Sequence, residues 1–210
     1  DAPDAGTFAS DLGLEQELAG AVYSRVEEKL KREAVEDFRI DFEDGYGVRS
    51  DADEDADAAA AAKEMASGLK EGSLPPFIGI RVKALSEECK ARSLRTADIF
   101  LSSLLEKTGR LPPHFVVTLP KITGACQVRA LADALEAIEA ANRIPRGALK
   151  IELMIETPQS LFDPEGKAAL PGLVRSAQGR CVAAHFGAYD YTASLEIIAS
   201  HQAMDHPSCD

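Results

Sequence analysis

Residues 38–47 read FRIDFEDGYG, and this stretch decides the fold. Apolar and charged residues alternate along its first half, which is the period of a β-strand. One face carries Phe38, Ile40 and Phe42, and the other carries Arg39, Asp41 and Glu43. A solvated edge of an antiparallel sheet would account for this pattern. In a sheet covered on both faces, the charged face would instead need ion pairs or a metal ion, because an uncompensated buried charge is costly.

The rest of the chain favours a sheet covered on both faces. Five strand-like segments, each followed by a turn signal and most by a helical pattern, span residues 38–43, 77–83, 115–120, 150–156 and 180–186. Helices are expected over residues 14–36, from 50 through the alanine run 58–62, and over 93–108, 125–141 and 192–200, with an irregular stretch at 163–166. This alternation predicts an α/β fold of βα units around a parallel sheet, in a single domain over residues 1–210.

Composition excludes two classes of partner. The chain has 210 residues and a formal net charge of −12, with 23 Lys and Arg against 35 Asp and Glu. Nucleic-acid binders concentrate basic residues and this chain does not, so we expect no nucleic-acid partner. No apolar run approaches the roughly 18 residues of a membrane span, so we expect no membrane partner. The four cysteines are far apart in sequence, which favours a reducing, cytoplasmic location. Because the chain begins at Asp1 rather than Met, we expect a piece of a longer protein.

Part of the negative charge lies in residues 51–57, at the start of a predicted helix. Ser50 is the expected N-cap, and acids in a first turn interact favourably with the helix dipole. We expect these acids to be solvated and assign them no chemistry.

A second group of charged residues stands where the five strands end. Its members are Glu43, Asp44, Arg81, Lys121, Glu156 and Asp190. Carboxylates at the C-terminal ends of parallel strands are where a (β/α) barrel places its chemistry. Two or three carboxylates suit Mg²⁺ or Mn²⁺, and an adjacent arginine can bind a carboxylate in bidentate fashion.

Each of these residues also has a purely structural interpretation. Asp44 precedes Gly45 and would then serve a turn. Glu156 precedes Thr157-Pro158, which is typical of an N-cap and first helical residue, and would then be a solvated residue before the cap. Asp190 would cap a helix from Thr192. Lys121 could form a Schiff base, but that requires a lowered pKa, whereas neighbouring carboxylates would raise it. His185 lies inside the last strand and is expected to be a core histidine.

Five blocks at the strand ends resemble, in order, the signature blocks of the HpcH/HpaI aldolase and citrate lyase beta-subunit family. They are DFEDG (41–45), IRV (80–82), LPKI (119–122), IETP (155–158) and FGAYDY (186–191). The resemblance implies a TIM barrel of the phosphoenolpyruvate/pyruvate superfamily, incomplete here because five βα units are seen. Tyr46-Gly47 after the first block, and Tyr189 and Tyr191 in the last, depart from the common pattern and indicate an outlying subgroup.

The resemblance also implies roles for the residues that match these blocks. It implies Mg²⁺ ligands at Glu156 and Asp190, and contact of Arg81 with substrate carboxylate or enolate oxygens. It places Glu43 and Asp44 near metal-bound water or catalytic groups, and it matches Lys121 without specifying its role. Homo-oligomers are expected by the same resemblance.

Together these observations predict a magnesium-dependent carbon–carbon lyase or aldolase, acting on a 2-oxo acid or acyl-CoA substrate through a stabilised enolate. Two alternatives stay open. One is a Schiff-base aldolase that uses Lys121, and the other is a catalytically silent barrel that acts as a binding module.

Overall fold

A five-stranded sheet organises the structure, a computed structural model that describes residues 2–210. The strands are β1 (Asp37–Asp41), β2 (Phe77–Arg81), β3 (Phe115–Leu119), β4 (Lys150–Ile155) and β5 (Cys181–Phe186). They neighbour one another in chain order, and the pairs β2–β3, β3–β4 and β4–β5 are parallel. The five predicted strands are therefore confirmed, with ends within two residues of the predicted ones.

Helices follow each strand. The α-helices are α1 (Ala5–Leu12), α2 (Gln16–Arg32), α3 (Asp51–Glu71), α4 (Lys90–Thr108), α5 (Ala125–Asn142), α6 (Pro158–Leu161), α7 (Leu170–Ser176) and α8 (Ala188–Ser194). Two 3₁₀ helices, Ala199–His201 and Pro207–Cys209, come last. The predicted irregular stretch at residues 163–166 lies in the loop between α6 and α7. In a search of residues 2–210, every helix proved too short or too polar to cross a bilayer.

The chain forms two compact units, of which the smaller comprises the residues up to Phe38 together with Pro75–Phe77. There, α1 begins at Asp4, whose Oδ1 accepts a hydrogen bond from the backbone N–H of Thr7 (2.8 Å), and the rings of Phe8 and Tyr23 join α1 to α2. The larger unit comprises Arg39–Leu74 and Ile78–Asp210 and holds all of the predicted site residues. Asp1 lies outside the described residues, and a single domain over residues 1–210 stays a prediction.

One face of the sheet in the larger unit forms the apolar core. Helix α3 packs on α4, α4 on α5, and α5 on α7, so successive helices cover the same face. Side chains from strands and helices interlock there, among them the fully buried Ile80, Phe100, Leu104, Leu131 and Leu153. Their removal from water supplies the main favourable term for folding.

The opposite face of the sheet carries ion pairs. Nε of Arg39 on β1 donates to Oε2 of Glu152 on β4 (3.1 Å), and the Thr118 hydroxyl donates to the same oxygen (2.5 Å). Burial would raise the pKa of Glu152, but hydrogen bonds from His185, Arg39 and Thr118 outweigh it and lower that pKa to about 2. The alternation in residues 38–43 thus reflects an ion-paired inner face and not a solvated edge.

Consecutive strand order with helices that cover one face of the sheet is the arrangement of a (β/α) barrel. The expected α/β class is confirmed, and the five βα units are those of an incomplete barrel.

The terminal helices differ from their sequence-based predictions. The helix expected over residues 14–36 ends at Arg32, where the backbone becomes extended toward β1, and a separate helix α1 ends before it at Gly13 in the left-handed region (φ 62°). The helix expected over residues 192–200 is α8, which begins at Ala188 and ends before Glu196, a residue with φ of 61°. Asp190 therefore lies in the first turn of α8 and does not cap a helix from Thr192.

Candidate active site at the strand ends

The carboxyl ends of the strands bring all six predicted site residues into one network. Nζ of Lys121 lies 2.5 Å from Oε1 of Glu43, 2.7 Å from Oδ2 of Asp44 and 3.4 Å from Oδ2 of Asp190. The backbone N–H of Lys121 donates to Oε1 of Glu156 (2.6 Å), and Nη1 of Arg81 lies 3.3 Å from Oε2 of Glu43. Residues from five strand ends, up to 147 positions apart in sequence, thus meet at one place.

Arg81 is held in bidentate fashion by a residue that the sequence did not single out as a site residue. Its Nε and Nη2 donate to the two carboxylate oxygens of Asp41, at 2.7 and 2.6 Å. Asp41 also accepts from the backbone N–H groups of Glu43 and Gly45. Burial opposes the charge of Asp41, but these donors together lower its pKa. Arg81 is therefore fixed in place, with Nη1 directed toward Glu43 and the sulfur of Met154.

Lys121 is a protonated cation in this site. Burial would lower its pKa, but hydrogen bonds from its ammonium group to Asp44 and Glu43 outweigh burial and raise that pKa. Its backbone adopts a left-handed conformation (φ 50°), which is uncommon for a residue with a Cβ and directs its N–H at Glu156. A Schiff base needs an unprotonated amine, so these contacts disfavour the Schiff-base alternative and support an electrostatic role.

Glu156 combines full burial with an unpartnered oxygen. Its residue is 0% exposed, which rules out the alternative of a solvated residue before a helix cap. Among residues 2–210, no group donates a hydrogen bond to its Oε2. Burial, with the neighbouring Asp190 carboxylate as a smaller contribution, raises the pKa of Glu156 to about 7. Thr157 does cap α6, as predicted, because its Oγ1 accepts from the N–H of Ser160 (3.2 Å).

Glu43 is a second acid with an oxygen that accepts no hydrogen bond from the described residues, although this oxygen, Oε2, lies 3.3 Å from Nη1 of Arg81. Its Oε1 accepts from Lys121, whereas its Oε2 accepts no hydrogen bond from the described residues. Burial is the largest cause of its raised pKa, and the Asp44 carboxylate adds to it.

The donors of this site fit a hard divalent cation. Five acids, Asp41, Glu43, Asp44, Glu156 and Asp190, lie around two bases, Arg81 and Lys121. Within residues 2–210 no group of three or more His, Cys, Asp or Glu side chains is arranged to hold a metal ion. A pair of carboxylates is nevertheless the usual protein contribution to Mg²⁺, which keeps water or substrate oxygens as its other ligands. The orphaned Oε2 of Glu156 beside Asp190 is where such an ion would bind.

Gly187 contacts Glu156 and was not predicted from the sequence. A Cβ at this position would lie 2.7 Å from the Glu156 Cβ and 2.8 Å from its Oε2, closer than side chains approach. Its backbone (φ −100°, ψ 86°) is open to any residue, so glycine is required for space. The block FGAYDY contains this glycine, which is the sequence signal that could have indicated it.

A buried ion pair supports the strand end that carries Glu43. Nζ of Lys83 donates to the carbonyl of Phe42 (2.6 Å) and lies 2.8 Å from Oε2 of Glu54. Oε1 of Glu54 accepts from the Thr96 hydroxyl (2.6 Å). The expectation that all acids of residues 51–57 are solvated is therefore wrong for Glu54, which is 1% exposed because it faces the sheet. Ser50 is the N-cap of α3 as predicted.

His185 is also placed differently from its prediction. It lies on β5, but its side chain is 43% exposed and faces Glu152 at 3.5 Å. It is therefore not a core residue, because no described element covers that part of the inner face.

A cavity of about 630 Å³ opens above the network. Glu43, Asp44, Lys83, Lys121 and Thr123 contribute to its walls. Its size lies within the range of about 300–1,000 Å³ that is typical of small-molecule sites.

Comparison with solved structures identified Haloferax volcanii malate synthase. Its pyruvate/acetyl-CoA ternary complex has a TM-score of 0.44 and 17% identity over 66% of this chain and 38% of that chain. Its lead(II) complex has a TM-score of 0.47 and 18% identity over 68% and 40%. The chain thus spans about two-fifths of the length of these structures. Comparison with curated protein sequences gave no significant match.

The comparison with family models gave a match to a domain of unknown function, DUF6986, over residues 1–210. The description of this family does not name the HpcH/HpaI family, so membership of the HpcH/HpaI family stays a prediction. The match extends over the full chain, and the chain belongs to the DUF6986 family.

Proposed function

We propose that this chain carries the active site of a divalent-metal-dependent enzyme that makes or breaks a carbon–carbon bond next to the carbonyl of a 2-oxo acid or acyl thioester. The observation that carries this proposal is the buried, unpartnered Oε2 of Glu156 beside Asp190, at strand ends that also present Arg81 and Lys121. A buried carboxylate oxygen needs a partner, and a divalent cation bound there would offset the excess of acids.

In this proposal Glu156 and Asp190 hold Mg²⁺ or Mn²⁺. When bound, the ion supplies Lewis-acid stabilisation of negative charge on the substrate carbonyl oxygen. A 2-oxo acid carries adjacent carboxylate and carbonyl oxygens that could join water as further ligands of such an ion, and this favours 2-oxo acids as substrates.

The remaining residues of the network bind charge or hold a proton. Nη1 of Arg81 is not bonded to Asp41 and lies beside Glu43, from where it would stabilise an enolate oxygen or a substrate carboxylate oxygen. Lys121 keeps Glu43 and Asp44 in place and balances their charge. Glu43 lies between Lys121 and Nη1 of Arg81, and it is the acid that would hold or move a proton at its Oε2, which accepts no hydrogen bond from the described residues.

Calorimetric titration with MgCl₂ tests the proposal directly. Wild type should bind Mg²⁺, and both Glu156→Gln and Asp190→Asn should weaken that binding by at least tenfold, because each removes a charged ligand. Asp133→Asn, on the exposed side of α5, is the matched control and should bind as wild type does. Unchanged binding in both site variants would refute the assignment.

The reaction itself is tested with a panel of 2-oxo acids, 4-hydroxy-2-oxo acids and acyl-CoA thioesters in the presence of Mg²⁺. Turnover that disappears in Glu156→Gln supports the proposal. A correctly folded protein that binds Mg²⁺ but turns over none of these compounds would favour the binding-module alternative. The use of CoA, assembly as a homo-oligomer and location in the cytoplasm are parts of the same proposal.

A further inference from the structure

A second cavity, of about 540 Å³, lies in the larger unit beside the one above Lys121. The two cavities share Thr123, which follows Lys121 by two residues. The second cavity is also lined by Pro158, which follows Glu156 by two residues. It therefore begins beside the segments that follow β3 and β4, of which the second carries Glu156, and it extends from there along α7.

The walls of this cavity are mainly apolar. Phe162, Pro164, Ala168, Ala169 and Leu173 form most of them. Phe162 is 61% exposed, so a large aromatic surface faces the cavity and solvent without cover from the described residues.

The polar groups at this cavity do not call for a charged ligand. The carboxylate of Asp163 is already used, since its Oδ1 accepts from the backbone N–H groups of Glu165 (3.0 Å) and Lys167 (2.8 Å). Arg175 contributes to the wall, but its side chain is exposed and its charge is solvated. A ligand that fills this space would gain affinity from hydrocarbon and not from ion pairs.

We propose that this cavity receives an apolar substituent of several carbons, carried by the substrate on the side away from its carboxylate. This inference rests on the function proposed above, because it names the substrate class of that same site. The substrate would then be a 2-oxo acid with a hydrocarbon chain, or a 4-hydroxy-2-oxo acid that is cleaved to an apolar aldehyde.

The test is calorimetric binding of straight-chain 2-oxo acids, from pyruvate to 2-oxooctanoate, at saturating Mg²⁺. In wild type the affinity should rise about fourfold for each methylene group that enters the cavity, up to the length that fills it.

Gly172 lines the cavity, and a Cβ on it would meet only Arg175 Nη2, at 4.0 Å. Gly172→Leu should therefore fold, fill part of the cavity and remove most of this gain while the affinity for pyruvate stays within twofold. Gly172→Ala is the matched control and should keep the gain.

Phe162→Ala provides a second variant, because it removes an exposed apolar wall of the cavity. It should reduce the gain in affinity per methylene group and leave the affinity for pyruvate unchanged. Pyruvate binding with no gain from longer chains in wild type would overturn this inference and leave the proposed function in place. An equal gain in wild type, Gly172→Leu and Phe162→Ala would also overturn it, because the chain would then lie elsewhere. Failure of every 2-oxo acid to bind, pyruvate included, would overturn both proposals.

Discussion

Replacement of Gly187 by alanine tests how tightly the fold constrains Glu156. The new Cβ would lie 2.7 Å from the Cβ of Glu156, whereas carbon atoms in contact are about 3.5 Å apart or more, so the two must separate by roughly 0.8 Å. The Glu156 carboxylate must also shift, because its Oε2 would be 2.8 Å from the new methyl group. Metal ligands tolerate errors of only about 0.2 Å in distance.

We therefore expect Gly187→Ala to weaken Mg²⁺ binding by about 10–100-fold, the usual effect of disturbing groups that support a ligand. Overpacking costs about 1–3 kcal/mol, and the lower entropy of the unfolded chain with alanine returns about 0.4–1 kcal/mol, so the net loss of stability lies between about 0 and 2.6 kcal/mol. Calorimetry with MgCl₂ and urea unfolding measure the two quantities, with Gly172→Ala as control. Wild-type Mg²⁺ affinity in Gly187→Ala would refute the argument that Glu156 is a ligand held in place by this contact.

Three further predictions concern the charged residues around the site. Borohydride treatment with pyruvate should leave Lys121 unmodified, because its contacts with Glu43 and Asp44 keep the amine protonated; a trapped adduct of pyruvate mass on Lys121 would contradict this. The pKa of Glu152 falls from 4.5 to about 2 on folding, so the stability it contributes is present above pH 4.5 and lost as the pH falls toward 2. As the pH falls from above 4.5 toward 2, the free energy of unfolding should drop by about 3 kcal/mol less in Glu152→Gln than in wild type. The exposed-site control Glu136→Gln should behave as wild type does, and urea unfolding measures all three proteins. Glu54→Ala removes the carboxylate partner of the partly buried Lys83, which keeps its bond to the Phe42 carbonyl, and should lower the free energy of unfolding by about 1–3 kcal/mol, whereas Glu54→Leu with Lys83→Met should recover most of it; equal losses in the two proteins would contradict this.

The location of the site could be predicted from sequence because strand periodicity and parallel order are local patterns with a fixed geometric consequence. Once Glu43, Arg81, Lys121 and Glu156 follow successive parallel strands, they must meet at one edge of the sheet. The contacts between them could not be predicted, because they depend on which side chains are nearest in space. Asp41 and Arg81 illustrate this, since their bidentate pair joins residues 40 positions apart.

Sequence patterns also did not show which acidic side chains are buried at the start of a helix. Glu54 and Asp55 both lie in the first part of α3, where acids favour the helix dipole whether they are solvated or buried. Asp55 faces Arg92 and Arg95 at the surface, whereas Glu54 is one residue away and faces Lys83 in the interior. Adjacent residues point about 100° apart around the helix axis. In an acid-rich run with alanines around it, the sequence does not show which of these directions faces the interior.

The pairing of Arg81 with Asp41 has a consequence for substrate recognition. Asp41 occupies the Nε–Nη2 edge of Arg81, and Nη1 already lies 3.3 Å from Oε2 of Glu43, so a substrate carboxylate has to compete with Glu43 for the donors that remain on Arg81. Lys121 is similarly committed to Glu43 and Asp44. Protein cations alone therefore bind an anionic substrate weakly at a site where acids outnumber bases. A divalent ion at Glu156 and Asp190 would reverse this balance locally, and anion binding should consequently depend on the metal: oxalate should bind in Mg²⁺ and fail to bind in EDTA. Equal oxalate affinity in both solutions would mean that Arg81 and Lys121 suffice, and the reasoning from their committed hydrogen bonds would then be wrong.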